Sequence, residues 1–311
     1  MKLRAATRGS KLSLAQTREA LEYLSSRAPA GFSYELVIVK TRGDVHQDKP
    51  FTMIGGKGVF EKEVNLAVLE GRADIAVHSL KDVPSEVHPD LLLVAVPPRA
   101  PPFDVLVTRR MDGSDLWSLP SGAVVGTSSA RRAAMIKAAR RDLVVKPLRG
   151  NVDTRLRKLQ AGMYDAIVLA EAGIRRLGVE VEYWRFPPDL LPPAPGQGIV
   201  GVYTLRTRLD VVSLLEPASH RETMAEARAE RAFLALAGGG CHAPLGGYAE
   251  HRGGSMVFHA AAAEPDGSKV VRVTVEGDPE RPAQLGVDAA FELREKASEA
   301  GVTVLRPLRR G

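Results

Sequence analysis

The chain has 311 residues, a formal net charge of +6 and 44% hydrophobic residues, which allows two or three domains with buried cores and excludes a disordered chain. No apolar run approaches the ~20 residues of a membrane span, and no signal peptide is expected because the N-terminal residues lack an apolar segment. A single cysteine excludes an internal disulfide, so we expect a cytoplasmic protein without membrane contact.

The first 80 residues alternate short apolar strands with helices. We predict strands at residues 2–6, 34–40 and 74–78, and helices at 11–27 and 59–70. A turn containing Thr7 and Ser10 opens the first helix, and Gly71 ends the second. This alternation is typical of a parallel α/β sheet.

A second stretch repeats this plan. We predict strands at 123–125, 143–146 and 165–169, and helices at 131–140 and 152–161. Both stretches have a Thr-containing turn before the first helix, an Arg-Gly-Asp or Arg-Gly-Asn turn after the second strand, and a Gly-Xaa-Xaa-Asp entry into the third. The repetition predicts two α/β domains of similar build that face each other.

Proline-rich segments at 97–102 and 187–195 mark crossovers between these domains, and a strand at 199–204 is expected to return to the first. The sequence from residue 219 onward predicts a small α+β domain, with helices at 219–237 and 282–300 and strands at 248–250, 256–262 and 270–275. A hairpin turn is predicted at Asp266-Gly267. The predicted domains cover residues 1–98 with 199–217, 103–194, and 219–311.

Arginines follow the predicted strand ends in both α/β stretches. Free N–H groups at a helix N-terminus attract anions, and ligands of open α/β sheets bind at this edge. A cleft between two such edges would hold a ligand with several negative charges. The alternative is ordinary helix capping with solvated arginines. The residues concerned are Arg8, Arg131, Arg132, Arg149 and Arg155.

Asp82 follows a buried strand in the sequence His78-Ser79-Leu80-Lys81-Asp82. A strand end is a rigid mount for a functional side chain. Among cationic neighbours the carboxylate suits electrostatic stabilisation of a developing cation better than acid catalysis. The alternative is a loop carboxylate that pairs with its neighbour or caps the turn.

Cys241 follows three glycines, which open access to its sulfur, so it is a candidate nucleophile or covalent anchor. The alternative is a buried small apolar residue. No zinc spacing or other metal motif is present in the sequence. Residues 43–60 lack the phosphate-loop pattern, and we interpret them as a mobile lid with Lys49 and Lys57 as cations, or as a plain surface loop.

Together these segments resemble the porphobilinogen deaminase family over nearly the whole chain. The resemblance lies in segments 41–44, 55–60, 73–83, 126–132, 148–156, 195–198 and 239–241. It implies three domains, the first two like periplasmic binding proteins. It also implies that Cys241 carries a dipyrromethane cofactor through a thioether. Four porphobilinogen units are then added head to tail with loss of ammonia, and hydrolysis releases the linear tetrapyrrole.

The resemblance also implies roles for individual residues. Asp82 is the catalytic residue, which holds pyrrole N–H groups and stabilises the azafulvenium cation, and Lys57 belongs to the lid. The cofactor contacts are Cys241, Ser10, Lys81, Asp82, Thr127, Ser129, Arg131, Arg132, Arg149 and Gly150. The substrate contacts are Arg8, Ser79, Phe60, Ser128, Arg149, Arg155, Arg176 and Gln197. A monomer without nucleic acid is expected.

Three positions depart from the family pattern. Gly9 replaces a larger polar residue, Tyr203 stands where an acid is expected, and Pro101-Pro102-Phe103 replaces charged residues before the second domain. Two other functions fit the sequence less well. A non-catalytic binding protein for an anionic small molecule would use the same arginines, but it would need neither Asp82 nor Cys241. A nucleic-acid binder is disfavoured by the modest charge and the 5% aromatic content.

Overall fold

The structure is a computed structural model that describes residues 1–41, 61–238 and 243–305. The chain forms two compact units, the first of residues 1–100 and 198–224 and the second of residues 101–197 and 225–311. The first unit overlaps the residues assigned to the first predicted domain, whose boundaries stay a prediction. The division of the second unit into two domains stays a prediction. No helix in the described ranges has the length and apolar character needed to cross a membrane.

Short strands and helices alternate along much of the chain. The strands, in chain order, are β1 (Lys2–Arg8), β2 (Ser33–Val39), β3 (Ile75–Ser79), β4 (Leu91–Ala95), β5 (Asp104–Thr108), β6 (Val124–Gly126), β7 (Val144–Lys146), β8 (Ala166–Ala170), β9 (Trp184–Arg185), β10 (Val200–Leu205), β11 (Leu245–Arg252), β12 (Ser255–Ala263) and β13 (Val270–Gly277). The helices are α1 (Lys11–Arg27), α2 (Lys62–Leu69), α3 (Ala130–Ala139), α4 (Val152–Gln160), α5 (Glu171–Arg176), α6 (Leu209–Leu215), α7 (Arg221–Ala237) and α8 (Pro282–Glu299).

The first unit contains a five-stranded sheet in the order β2-β1-β3-β10-β4. Strand β1 is parallel to β2 and β3, whereas β10 is antiparallel to both β3 and β4. The predicted return of the chain through residues 199–204 is therefore confirmed. The prediction of a purely parallel sheet is wrong, because β10 enters from the opposite direction after the excursion through residues 101–197.

The second unit repeats this order in the sheet β7-β6-β8-β5-β9. Here β6 is parallel to β7 and β8, and β5 is antiparallel to its two neighbours. In each sheet the first strand lies between the second and third strands of the repeated plan, and an antiparallel strand follows the third. The prediction of two similar α/β domains is thus confirmed, with mixed rather than parallel sheets.

An aspartate at the entry to the third strand fixes each sheet in the same way. The Oδ2 atom of Asp74 accepts a hydrogen bond from the Arg4 backbone N–H at 2.8 Å. The Oδ2 atom of Asp165 accepts one from the Val124 backbone N–H, also at 2.8 Å. The Gly-Xaa-Xaa-Asp motif therefore ties the third strand to the first in both sheets.

Helix α1 begins directly after β1 and positions the end of that strand. The Ser10 hydroxyl accepts a hydrogen bond from the Ser13 N–H at 3.2 Å, which satisfies a free donor of the first turn. One face of the helix buries Ala20, Leu21 and Leu24 completely. Burial of each leucine contributes roughly 2 kcal/mol, so this face holds the helix on the sheet.

The C-terminal part of the second unit contains the antiparallel sheet β11-β12-β13 with α7 and α8 packed around its core. Phe233 and Phe258 meet at a ring-centroid distance of 4.8 Å in this core. A Cβ atom on Gly286 would overlap the backbone of Ala229, so the close approach of the two helices requires glycine there. The hairpin predicted at Gly267 connects β12 and β13.

Candidate functional site

The Asp82 side chain is presented by a short turn at the end of a buried strand. Strand β3 ends at Ser79, and a single 3₁₀ turn spans Leu80–Asp82. The turn is anchored because Leu80 is buried and its N–H donates to the Ile199 carbonyl at 2.9 Å. Asp82 itself is exposed. The local fold therefore fixes the backbone while it leaves the carboxylate accessible.

A pocket of the first unit brings three of the sequence-predicted residues together, namely Arg8, Ser79 and Asp82. Among the described residues, its lining is Arg8, Ser13, Gln16, Glu61, Val77, His78, Ser79 and Asp82. The pocket lies where β1 and β3 end, which is the edge at which ligands of open α/β sheets bind. Ser10 and the half-buried Lys81 are adjacent in sequence to these strand ends, but they do not line the pocket.

Ser79 is oriented by a buried amide. Its hydroxyl donates to the Oε1 atom of Gln16 at 2.8 Å, and Gln16 is buried in α1. The donated hydrogen fixes the hydroxyl rotamer, so the lone pairs of the Ser79 oxygen are its remaining capacity for a ligand. Ser79 was predicted from the sequence, whereas Gln16, whose contact with Ser79 spans 63 positions along the chain, was not.

A hydrogen-bonded chain of three residues reaches the same pocket and was missed by sequence analysis. The Nε2 atom of His78 lies 2.9 Å from the Oδ1 atom of Asn65. The Nδ2 atom of Asn65 donates to the Oε2 atom of Glu61 at 2.7 Å. Burial, with a smaller contribution from Arg8, lowers the pKa of His78 to about 3. His78 is therefore neutral near pH 7 and donates through Nε2.

In the second unit the polar side chains of the turn before α3 form hydrogen bonds with nearby backbone groups. Ser129 is the N-cap of α3 and accepts from the Arg132 N–H, while the Thr127 hydroxyl oxygen accepts from the Ser129 N–H at 3.2 Å. The Ser128 hydroxyl donates to the Leu148 carbonyl at 2.9 Å. These contacts join the turn to the segment that precedes α4, so two predicted binding segments form one structure.

Arg131 and Arg132 are buried around one carboxylate. An Nη1 atom of Arg131 and an Nη2 atom of Arg132 each lie 2.6 Å from an oxygen of Asp104, which is completely buried at the start of β5. Burial raises the pKa of Asp104, but the two guanidinium groups outweigh burial and hold that pKa below its usual range. Both arginines were predicted from the sequence as ligand contacts, whereas Asp104 was not.

Further buried hydrogen bonds support Asp104 and the segment that contains Gln197. The Nε2 atom of Gln197 donates to the Pro102 carbonyl at 2.6 Å and to the Oδ1 atom of Asp104 at 3.1 Å. Glu230 is completely buried and accepts hydrogen bonds from the Gly196 N–H at 2.5 Å and from the Ala249 N–H at 2.9 Å. Gln197, predicted to contact substrate, is thus 1% exposed and supports Asp104.

A second group of cations surrounds the turn before α4. The Nε atom of Arg155 donates to the Gly150 carbonyl at 2.8 Å. Burial first, and then the charges of Arg132 and Arg149, lower the pKa of Arg155 to about 10. The lowered pKa reflects repulsion between these guanidinium groups in a partly desolvated environment. An anionic ligand would relieve that repulsion. Arg176 ends α5 and is partly buried.

Four sequence-predicted positions lie outside the described residues, namely Cys241, Phe60, Lys57 and Lys49. The whole of the segment 43–60, interpreted as a lid, falls there as well. Within residues 1–41, 61–238 and 243–305, no group of three or more His, Cys, Asp or Glu side chains is arranged to hold a metal ion.

Two family models match the chain. One is described as "Porphobilinogen deaminase, dipyromethane cofactor binding domain" and matches residues 3–212, and the other as "Porphobilinogen deaminase, C-terminal domain" and matches residues 224–295. Among solved structures, the "probable amino-acid ABC transporter extracellular-binding protein ytmK" of Bacillus subtilis is 12% identical. That match covers 70% of this chain and 90% of the other, with a TM-score of 0.42.

Curated relatives match over almost their full length. A "probable porphobilinogen deaminase" of Hyperthermus butylicus is 69% identical over 304 residues, which cover 98% of this chain and 100% of the relative. One of Pyrobaculum calidifontis is 49% identical over 298 residues, with 95% and 98% coverage. The chain therefore belongs to the porphobilinogen deaminase family, transferases of tetrapyrrole biosynthesis that carry a dipyrromethane cofactor.

Proposed function

We propose that the chain is a hydroxymethylbilane synthase that condenses four porphobilinogen molecules head to tail and releases the linear tetrapyrrole. In each condensation the C–N bond of the aminomethyl group breaks and ammonia leaves. A C–C bond to the terminal pyrrole forms, and that pyrrole loses its α-proton. The observation that carries the proposal is the pocket in which Asp82, Arg8 and Ser79 line one wall of the first unit.

The residues of both units fit a dipyrromethane in charge and in hydrogen-bonding chemistry. Its acetate and propionate groups require cations. Arg155 is such a cation, and burial, followed by the charges of Arg132 and Arg149, lowers its pKa. Arg131 and Arg132 together carry one more positive charge than their partner Asp104. We propose that these four arginines hold the cofactor with Ser10, Lys81, Thr127, Ser129 and the backbone of Gly150, and that Cys241 anchors it through a thioether.

When bound, the dipyrromethane supplies the nucleophilic pyrrole end to which substrate units are joined. Asp82 accepts hydrogen bonds from pyrrole N–H groups and stabilises the cation that remains on the substrate when ammonia leaves. The exposure of the carboxylate on an anchored turn supports this role, since it can approach a ligand without moving its backbone.

The carboxylates of incoming substrate need further cations and donors. We propose Arg8, Arg149, Arg155 and Arg176 as their partners, because a guanidinium group binds a carboxylate through two parallel hydrogen bonds. Ser79 and Ser128 add hydroxyl contacts, Phe60 packs against the substrate pyrrole, and Gln197 supports the site through Asp104. Lys57 belongs to a lid over the site. We further propose that the enzyme works as a cytoplasmic monomer without nucleic acid.

The test is the intact mass of the purified protein with peptide mapping around Cys241. We expect a mass excess of two linked pyrroles on the Cys241 peptide, and formation of hydroxymethylbilane when porphobilinogen is added. The Cys241→Ser variant should lack the thioether-linked primer. An unchanged thioether adduct in that variant would place the anchor elsewhere, and a bare mass that stays bare after incubation with porphobilinogen would overturn the proposal.

A further inference from the structure

Glu61 is a second carboxylate in the pocket of the first unit, and the proposed mechanism gives it no role. It lies immediately before α2 and lines the same pocket as Asp82 and Arg8. The side chain makes no capping hydrogen bond to the helix, so helix capping does not account for its position. Among the residues that the structure describes, the pocket therefore combines two carboxylates with one guanidinium group.

The chain of hydrogen bonds behind Glu61 has a fixed direction. His78 is neutral and buried, and its Nε2 hydrogen is donated to the Oδ1 atom of Asn65. The amide of Asn65 is thereby oriented with its Nδ2 group toward the Oε2 atom of Glu61, 2.7 Å away. Each donor points toward the carboxylate, an arrangement that holds it in one orientation.

The charges of the pocket are complementary to a substrate that carries both positive and negative groups. Porphobilinogen has an ammonium group on its aminomethyl carbon and two carboxylates on its ring. Arg8 suits a carboxylate, and Asp82 is assigned to the pyrrole N–H. The ammonium group needs an anion of its own, and Glu61 is the pocket carboxylate that the neighbouring side chains already hold in position.

We propose that Glu61 binds the ammonium group of porphobilinogen and makes the pocket selective for an amine leaving group. This inference rests on the proposed function. When the C–N bond breaks, its electron pair leaves with nitrogen as neutral ammonia, and the positive charge stays on the pyrrolylmethyl group beside Asp82. No proton passes to Glu61, so its contribution is to binding and orientation rather than to acid catalysis.

The decisive experiment compares two substrates in the Glu61→Gln holoenzyme. One is porphobilinogen, and the other is its analogue with a hydroxymethyl group in place of the aminomethyl group, which carries no ammonium charge. We expect the KM for porphobilinogen to rise about tenfold, because a charged hydrogen bond to the ammonium group of the bound substrate is lost, and kcat not to fall, because the nitrogen leaves as neutral ammonia. The kcat/KM for the hydroxymethyl analogue should stay within about twofold of wild type.

Two further variants make the result specific. Glu61→Asp retains the charge and should preserve part of the preference for the amine, which also covers the case in which Glu61→Gln fails to fold. Glu70→Gln removes an exposed carboxylate next to the other end of α2, where it pairs with Arg72, and should leave both substrates unaffected. Equal losses for both substrates in Glu61→Gln, or an unchanged KM for porphobilinogen, would overturn the inference.

The proposed function and this inference fail in different ways. If the wild-type protein does not convert porphobilinogen, the function is wrong and the role of Glu61 falls with it. If the wild type converts porphobilinogen while Glu61→Gln shows the same preference for the amine, the function stands and only the role of Glu61 is wrong.

Discussion

The two α/β sheets share one strand order, yet the first presents an exposed carboxylate at its edge and the second presents buried guanidinium groups. In the first sheet the exposed carboxylate of Asp82 follows the third strand and shares a pocket with Arg8. In the second sheet the side chains at the start of α3 are the buried guanidinium groups of Arg131 and Arg132, paired with Asp104. The duplicated scaffold therefore carries two different chemistries.

The difference shows which part of the structure each site depends on. Asp82 is exposed on an anchored backbone turn, so its side chain can be removed with little disturbance to the core. The arginine pair is buried together with Asp104, so that site cannot be separated from the packing of its unit. Substitution of Asp82 should therefore alter catalytic activity, whereas substitution of the arginine pair or of Asp104 should lower the stability of the fold as well.

The largest expected effect is the loss of turnover in Asp82→Ala. The exposed side chain contributes little to packing, so the fold and the bound cofactor should persist while kcat falls by roughly 10³-fold or more, the scale seen when a group that stabilises a transition-state charge is removed. Steady-state kinetics and the intact mass measure both outcomes. Normal turnover in this variant would contradict the proposed role of Asp82.

The second expected effect concerns Asp104→Asn in the other sheet. Loss of the carboxylate charge leaves two buried guanidinium groups without compensation, which should lower the free energy of unfolding by about 3–5 kcal/mol. Urea denaturation measures the change, with Asp142→Asn as the control because the Asp142 side chain, which pairs with Arg140, is 38% exposed. A stability equal to wild type in Asp104→Asn would contradict the requirement for this charge.

A smaller effect is expected from Gly150→Ala in the turn before α4. Gly150 has φ = +111°, and an added Cβ would lie 2.7 Å from the Thr154 side chain. Strain and crowding together should cost about 1–3 kcal/mol. The matched control is Gly122→Ala, which has φ = +76° but open space around the added atom. Equal losses in the two variants would mean that the Thr154 contact costs nothing.

The smallest effect compares the two aspartates that tie the sheets together. Asp74 is flanked by Arg4 and Arg208, at 3.0 and 2.8 Å, whereas the contact between Asp165 and Arg109 is long, at 3.9 Å. Burial raises the pKa of Asp74, but its hydrogen bonds to the two arginines outweigh burial and lower that pKa to about 2. Asp74→Asn should therefore cost more stability than Asp165→Asn at pH 7.

We expect the loss in Asp74→Asn to be about 1–2 kcal/mol, since solvent screens part of the interaction. The folded-state pKa of Asp74 lies below its ordinary value of 3.8, so the stabilisation is complete above about pH 4 and disappears as the pH falls toward 2. Thermal unfolding of wild type and variant from pH 6 to 2 measures this convergence. A constant difference across that range would show that the charge of Asp74 is not responsible.

The sequence predicted the local elements and the repeated plan well, because both depend on short-range patterns. The strand that returns to the first sheet was also predicted, but its antiparallel direction and the strands β4 and β5 were not, since pairing direction leaves no local signal. The same limit applies to the site. Arg131 was identified from its place at a helix start, whereas its partner Asp104 lies 27 positions earlier and could be found only in the folded chain.

The roles of some residues could not be predicted because their local sequence fits both a structural and a functional role. His78 belongs to an apolar strand, and nothing in the sequence shows that Asn65 of α2 will meet it. In the sequence, Glu61 is an ordinary polar residue before a helix. Its significance depends on the pocket that it shares with Asp82, which only the folded chain shows. Three-dimensional proximity, rather than residue type, distinguishes these positions from their many counterparts on the surface.

The position of β10 between β3 and β4 has a consequence for synthesis on the ribosome. The first sheet cannot close until β10 emerges, about 100 residues after β4. At elongation rates of about 5–20 residues per second, the edges of β3 and β4 stay unpaired for roughly 5–20 seconds. The nascent first unit therefore exposes unpaired strand edges during this time, and slowing translation within residues 101–197 should increase its aggregation.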